Sequence, residues 1–313
     1  MTDYMILGAG AVGCVIGGML AHAGRSVQLI TRSAQLGEAV ARDGLRLRLP
    51  AGELLVHPQA SQPHKARPAE MILVLTKSFD TEAAIEGIRP LITDETLLVT
   101  LQNGLGNGEL LACLCPQNQI FHGASMLPAA VVRPGLVEAK DRNENWLGPL
   151  TGGDTRPLSQ LAADLAGVGA VLNLQEDVRP VIWQKACFNI AMNAVNTLTD
   201  SGPGLVYDSA GLRQLVYDLM DEAILVAEKT GVTLDRQKVV DLIDLSCTGH
   251  RYHIASMLQD IRAGRHSEID QLNGALLETA EQLGLDLPNN RVITALMRAR
   301  QAAPAFWQGQ PTD

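Results

Sequence analysis

The chain has 313 residues, with 34 Asp+Glu against 25 Lys+Arg and a formal net charge of −9. A hydrophobic fraction of 46% excludes a disordered, collagen-like or coiled-coil chain and suits one large or two medium domains. With 4% aromatics and no Lys/Arg blocks, the sequence also argues against nucleic-acid binding, which draws on phosphate neutralisation and base stacking.

In chain order, Tyr4-Met5-Ile6-Leu7 is an apolar run that breaks into Gly8-Ala9-Gly10-Ala11-Val12-Gly13. The spacing predicts a helix to His22, a C-cap at Gly24 and a second buried strand at Val27–Ile30. Strand, GxGxxG, helix and strand in that order form the dinucleotide-binding unit. Gly8 suits the tight turn, Gly10 the approach of a pyrophosphate, and Gly13 close helix–sheet packing. The segment Met5–Ala21 superficially resembles a signal sequence, but it lacks a basic start and contains five glycines. No stretch reaches membrane-spanning length, and the expectation is a cytoplasmic protein without membrane association.

The second strand is followed by Thr31-Arg32-Ser33, where an NAD site would usually carry Asp or Glu. A cation between two hydroxyls suits a ribose 2′-phosphate and hence NADP(H); a solvated loop arginine is the alternative. Further buried strands are expected at Met71–Leu75 and Leu97–Leu101. They end in Thr76-Lys77-Ser78 and Gln102-Asn103-Gly104-Leu105-Gly106, at the carboxyl ends where ligands bind such sheets. Lys77 could meet a phosphate or carboxylate there, and Asn103 a nicotinamide ribose; Asn103-Gly104 could equally be a plain turn. Ile120–Ala130 and Gly135–Gly148 read as later strands and a hairpin, and Val168–Leu174 as the last strand. The five cysteines, odd in number and without CxxC, read as reduced, buried thiols.

Beyond Leu174 the period turns helical. Asp177 is a candidate N-cap for a long helix to about Leu198, in which Lys185, Asn189, Asn193 and Asn196 fall on one line among apolar residues. Such a stripe either lines a cleft or meets solvent, and asparagine is a poor choice for an ordinary solvent face. Leu212 to Val226 and Ile269 to Leu283 give two more amphipathic helices. Glu268 opens the latter, with Ser267 or His266 as its cap, and by position alone it could simply complement the helix dipole. His250, His253 and His266 are spaced too irregularly for a metal site, and none is expected. The fold class is therefore α/β: an N-terminal Rossmann-type doubly wound sheet over 1–175, carrying −3, and a C-terminal all-helical domain over 176–313, carrying −6.

Together these pieces resemble the ketopantoate reductase (2-dehydropantoate 2-reductase) family along nearly the whole chain. The motifs are Gly8 to Gly13, Thr76-Lys77, Gln102 to Gly106, and Trp183-Gln184-Lys185 with Asn189 and Asn193. The most specific is Ser256-Met257-Leu258-Gln259-Asp260-Ile261-Arg262, continuing through Gly264 to Asp270 and on to Asn273-Gly274. The resemblance implies NADPH-dependent reduction of ketopantoate to pantoate in pantothenate synthesis. By that resemblance Lys185 looks like the general acid, Asn189, Asn193 and Ser256 like substrate contacts, and Glu268 like the carboxylate that receives the substrate hydroxyl. Gly8, Gly10, Gly13, Arg32, Lys77 and Asn103 look like NADP(H) contacts. Ala124 to Ala130, His253 and Ser201 to Gly204 depart from residues common in relatives and bear on which 2-oxo acid fits. The alternatives are a reductase of another 2-oxo acid, or a non-catalytic NADPH sensor. The expected partner is a small 2-oxo acid, and a homodimer is the candidate assembly.

Overall fold

The computed structural model describes residues 2–140 and 144–308, with side chains through 303. The chain divides into two units: 1–102 with 106–178, and 103–105 with 179–313.

The first unit runs β1 (Thr2–Leu7), α1 (Ala11–His22), β2 (Val27–Ile30), α2 (Ala34–Asp43), β3 (Leu45–Leu49), β4 (Gly52–Val56), β5 (Gln59–Ser61) and β6 (Ala69–Val74). It continues with α3 (Thr81–Glu86), β7 (Leu97–Thr100), α4 (Asn107–Leu114), β8 (Ile120–Ser125), β9 (Ala129–Arg133), β10 (Leu136–Ala139), β11 (Glu144–Pro149), α5 (Ser159–Ala166) and β12 (Val171–Leu174). The main sheet has the order β12-β11-β8-β7-β6-β1-β2-β5. Its pairings are parallel except β8 with β11. From β5 to β8 this is the 3-2-1-4-5-6 order of a doubly wound nucleotide fold, with the switch point between β1 and β6. Burial on both faces explains the unbroken apolar runs. Tyr4 and Ile6 join one core cluster, and Met5 and Leu7 another on the opposite face.

The expected hairpin region is more complex than its sequence suggests. Within Ile120–Ala130 the chain leaves the main sheet at Ser125, and β9 and β10 join a separate sheet of order β4-β3-β10-β9. Residues 141–143, inside the expected 135–148 segment, lie outside the described residues. Leu45 and Leu47 are fully buried while Arg46 and Arg48 pair with Glu53 on the neighbouring strand. That period-two alternation is the signal for β3.

The second unit is all helical: α6 (Arg179–Leu198), α7 (Gly204–Asp208), α8 (Ala210–Lys229), α9 (Arg236–Gly249), α10 (Ser256–Arg262), α11 (Ala275–Gln282) and α12 (Pro288–Gln308). Its core gathers Cys187, Ile190, Val195, Leu219, Ala223, Leu272 and Leu276. The carboxylate of Glu222 accepts from both the backbone and side-chain N–H groups of Asn289 and Asn290, tying α8 to the start of α12. Among the described residues no helix is long and apolar enough to cross a membrane.

Two expectations are corrected. Of the cysteines, Cys113 is exposed; the other four are buried, and burial pushes the Cys14 and Cys187 thiols up to about 12. Neither does one α-helix begin at Glu268: a π-helical turn, Asp270–Gly274, precedes α11. There Gly274 N–H donates to the Ile269 carbonyl, and Ala275 N–H reaches back to Asp270. The Gln271 carbonyl is thereby released from the α-ladder, and it accepts instead from the backbone N–H of Leu105 at 3.0 Å.

Candidate active site

In the sheet unit the glycine turn after β1 is built by close backbone approach. Gly8 has φ +106°, and a Cβ there would stand 2.4 Å from the Thr76 nitrogen. A Cβ on Gly13 would stand 2.2 Å from the Gly8 carbonyl oxygen. Both positions therefore exclude side chains, one against the end of β6 and one against its own turn. Gly10 differs: an added Cβ would meet nothing within 4 Å. The space above it is open at the N-terminus of α1, whose N-cap carries no side-chain bond. Amide groups at a helix start with room above a glycine fit the pyrophosphate of a dinucleotide. Lys77, half-buried, directly follows Thr76 and so lies beside the same turn. Gln102 pins the neighbouring strand end by donating to the Thr76 carbonyl at 2.8 Å and to the Thr81 hydroxyl at 2.8 Å.

Arg32 extends from the end of β2 and pairs with Asp80 at 2.6 Å. Asp80 closes a short 3-10 turn, Ser78–Asp80, that follows Lys77. Nothing in the sequence spacing points to this pair, because its members stand 48 positions apart and meet only when the sheet forms.

The helical unit assembles a different set. The Lys185 ammonium donates to Asn103 Oδ1 at 2.6 Å. Burial is the larger influence on this lysine and pulls its pKa down to about 8, against the opposing pull of the Glu268 carboxylate. Residues 103–105 are held by the π-turn. Leu105 bonds to the Gln271 carbonyl, and Gly104, at φ +96°, brings its own backbone so close that a Cβ would stand 2.4 Å from that same oxygen. Asn103, expected at a nucleotide ribose or in a plain turn, is thus the partner of Lys185.

Glu268 is buried, 6% exposed, and the residues just before it are anchored by side-chain bonds. Ser267 does not cap the following turn. Its N–H and hydroxyl both donate to Gln301 Oε1 at 2.8 Å, and the Gln301 amide meets His266 Nδ1 at 3.0 Å. Two residues before Ser267, Arg265 pairs with the buried Asp260 at 2.9 Å. Asn189 and Asn193 follow Lys185 along α6 at one-turn intervals. Asn193 and Asn196 are 8% and 2% exposed, which removes the solvent-face alternative for that part of the stripe. Ser256 is exposed at the first residue of α10 and makes none of the hydrogen bonds just described.

The family model for ketopantoate reductase PanE/ApbA matches residues 4–152, and the model for its C-terminal region matches 177–301. The chain belongs to the ketopantoate reductase family. It is an oxidoreductase of the 2-dehydropantoate 2-reductase type, and its family works on small 2-oxo acids with a pyridine nucleotide. Curated relatives include the 2-dehydropantoate 2-reductase of Pyrococcus horikoshii, 29% identical over 95% of this chain and 97% of the relative. That of Halobacterium salinarum is 28% identical over 95% and 98%. Among solved structures, a PanE/ApbA family ketopantoate reductase from Ralstonia eutropha superposes with TM-score 0.89 at 32% identity, covering 97% of this chain and 99% of that one. A D-mandelate dehydrogenase bound to NADH and anilino(oxo)acetate gives TM-score 0.89 at 26% identity, covering 96% and 99%. The ketopantoate reductase fold thus comprises the α/β sheet unit and the helical unit expected from the sequence.

Proposed function

We propose that this chain is a cytoplasmic, NADPH-dependent ketopantoate reductase that forms pantoate for pantothenate synthesis. The observation that carries the reading is Lys185: an ammonium with its pKa lowered to about 8, hydrogen-bonded to Asn103 and facing the charge of Glu268. Reduction of a ketone builds negative charge on its oxygen, and a positioned cation near its own pKa both stabilises that charge and releases a proton to it.

When bound, the nucleotide supplies the hydride. The sheet unit, 1–175 by the sequence boundary, binds it: the backbone of Gly8, Gly10 and Gly13 admits the pyrophosphate, while Arg32 and Lys77 hold phosphate charge and Asn103 orients the ribose. The helical unit, 176–313, takes the 2-oxo acid. Lys185 holds the proton at Nζ for the carbonyl oxygen. Asn189, Asn193 and Ser256 fix the substrate carboxylate, and Glu268 accepts from its hydroxyl. A site that already contains the Glu268 carboxylate selects a substrate with a hydroxyl to donate, because an apolar group there would leave that acceptor unpaired.

One observation favours a second reading. The structural likeness to a D-mandelate dehydrogenase points to the 2-oxo acid of mandelate, or another lacking a donor hydroxyl, as substrate. A steady-state assay with ketopantoate and with the 2-oxo acid of mandelate, each against NADPH and NADH, separates the two. The expected result is the highest kcat/KM for ketopantoate with NADPH. A higher value for the aryl 2-oxo acid would overturn the substrate assignment.

A further inference from the structure

The ion pair at the open end of β2 has a consequence for nucleotide choice. In doubly wound folds the group beyond the second strand reads the ribose 2′ position: a carboxylate accepts from the hydroxyl of NADH, and a cation holds the phosphate of NADPH. The sequence carries only the cation at that place, Arg32. The fold adds the carboxylate from elsewhere. Asp80 reaches the same spot from beyond β6, across the central β1, and its Oδ2 lies 2.6 Å from a terminal nitrogen of Arg32. The Arg32 side chain is 77% exposed and that of Asp80 27%, so the pair is open to an arriving ligand and is not a sealed structural clamp.

We propose that Asp80 is a specificity-determining residue that makes the site accept NADH as well as NADPH. With NADH the Asp80 carboxylate accepts a hydrogen bond from the 2′-hydroxyl, while the 2.6 Å contact with Arg32 holds that carboxylate in place. With NADPH the 2′-phosphate competes with Asp80 for Arg32. A guanidinium offers five donors in a planar fork, so it can serve the phosphate while still touching Asp80. The carboxylate then stands beside a dianion, and that like-charge proximity lowers NADPH affinity by roughly 3- to 10-fold at low salt. This inference rests on the reading that the sheet unit binds a nicotinamide dinucleotide.

The test is a fluorescence titration of NADPH and of NADH against the full chain, without substrate, for wild type, Asp80→Asn and Asp80→Glu. Wild type is expected to bind both nucleotides. Asp80→Asn should weaken NADH by about tenfold and tighten NADPH by about threefold, and Asp80→Glu should restore NADH binding. Added salt should shrink the NADPH gain and leave the NADH loss. An unchanged NADPH-to-NADH ratio in Asp80→Asn, or a wild type that binds NADPH alone, would overturn the role of Asp80. A wild type that binds neither nucleotide would instead overturn the proposed function. An exposed ion pair contributes little to stability, so these variants remain folded for the measurement.

Discussion

In the sheet unit the decisive distances are between backbone atoms and absent side chains, such as the 2.2 Å from an imagined Gly13 Cβ to the Gly8 carbonyl oxygen. In the helical unit they join side chains far apart in sequence, as when the Lys185 ammonium meets Asn103, 82 residues earlier. On the proposed function the first arrangement recognises a generic ligand, because phosphates are held by amides that every chain possesses. The second is, on the same reading, individual to the reaction, because it needs a cation, an amide and a carboxylate at one place. Breaking either should leave the other's property largely intact.

The largest expected effect is at Lys185. Lys185→Ala should lower kcat by about 10²- to 10⁴-fold while nucleotide titrations stay near wild type. Retention of turnover would remove the lysine from the chemistry. With a pKa of about 8 the acid form dominates at neutral pH, so kcat for reduction should be flat below that value and fall as pH rises through it. The stability sign is the reverse. Folding lowers this pKa, the unfolded chain holds the proton more tightly, and stability therefore rises with pH between about 8 and the ordinary lysine value of 10.5.

A pair of glycine substitutions sharpens the contrast. Gly104→Ala forces a side chain toward the Gln271 carbonyl and displaces Asn103. Turnover should drop by about 10²-fold, with a smaller loss of nucleotide affinity than a substitution in the glycine turn causes, since Asn103 is only one of the proposed nucleotide contacts. Gly13→Ala should instead weaken both nucleotides and cost roughly 1–3 kcal/mol of stability, read from chemical denaturation. Equal losses of nucleotide affinity in the two variants would show that the division of labour is wrong.

The smallest functional effect belongs to Glu222. Its carboxylate receives four N–H groups at the start of α12, so Glu222→Ala should cost about 1–3 kcal/mol of stability. Its kcat/KM at a permissive temperature should stay within about twofold of wild type, since Glu222 anchors a helix and is assigned no contact with substrate. A large kinetic loss in the folded variant would place this network in the active site.

Much of the sheet unit was legible along the chain. β2 spans Val27–Ile30 as its apolar run suggests, and α1 ends at His22 with Gly24 following in the left-handed region. Strands buried on both faces and turns that demand glycine announce themselves locally. The small sheet was harder to read: Leu45 and Leu47 alternating with arginines mark a strand, but its pairing with β10 is non-local. In the helical unit the Lys185 stripe was visible at helical spacing. The π-turn was not, since Ile269, Leu272 and Leu276 keep an apolar pattern that an uninterrupted α-helix would share.

The sequence by itself determined the central strands of the main sheet, the glycine turn after β1 and the passage from strands to helices, because each is written in spacing between neighbours. Apolar periodicity and the steric limits at a glycine act over a few residues and need no partner. Only the tertiary structure decided which side chains meet. It set Asp80 against the Arg32 that appeared alone in sequence, freed the Gln271 carbonyl to hold Leu105, and sent the Ser267 hydroxyl to Gln301. The last two choices follow from burial: once helices and strands pack, most enclosed polar atoms take a nearby partner, and for all three pairs proximity is set by the fold and not by position in the chain.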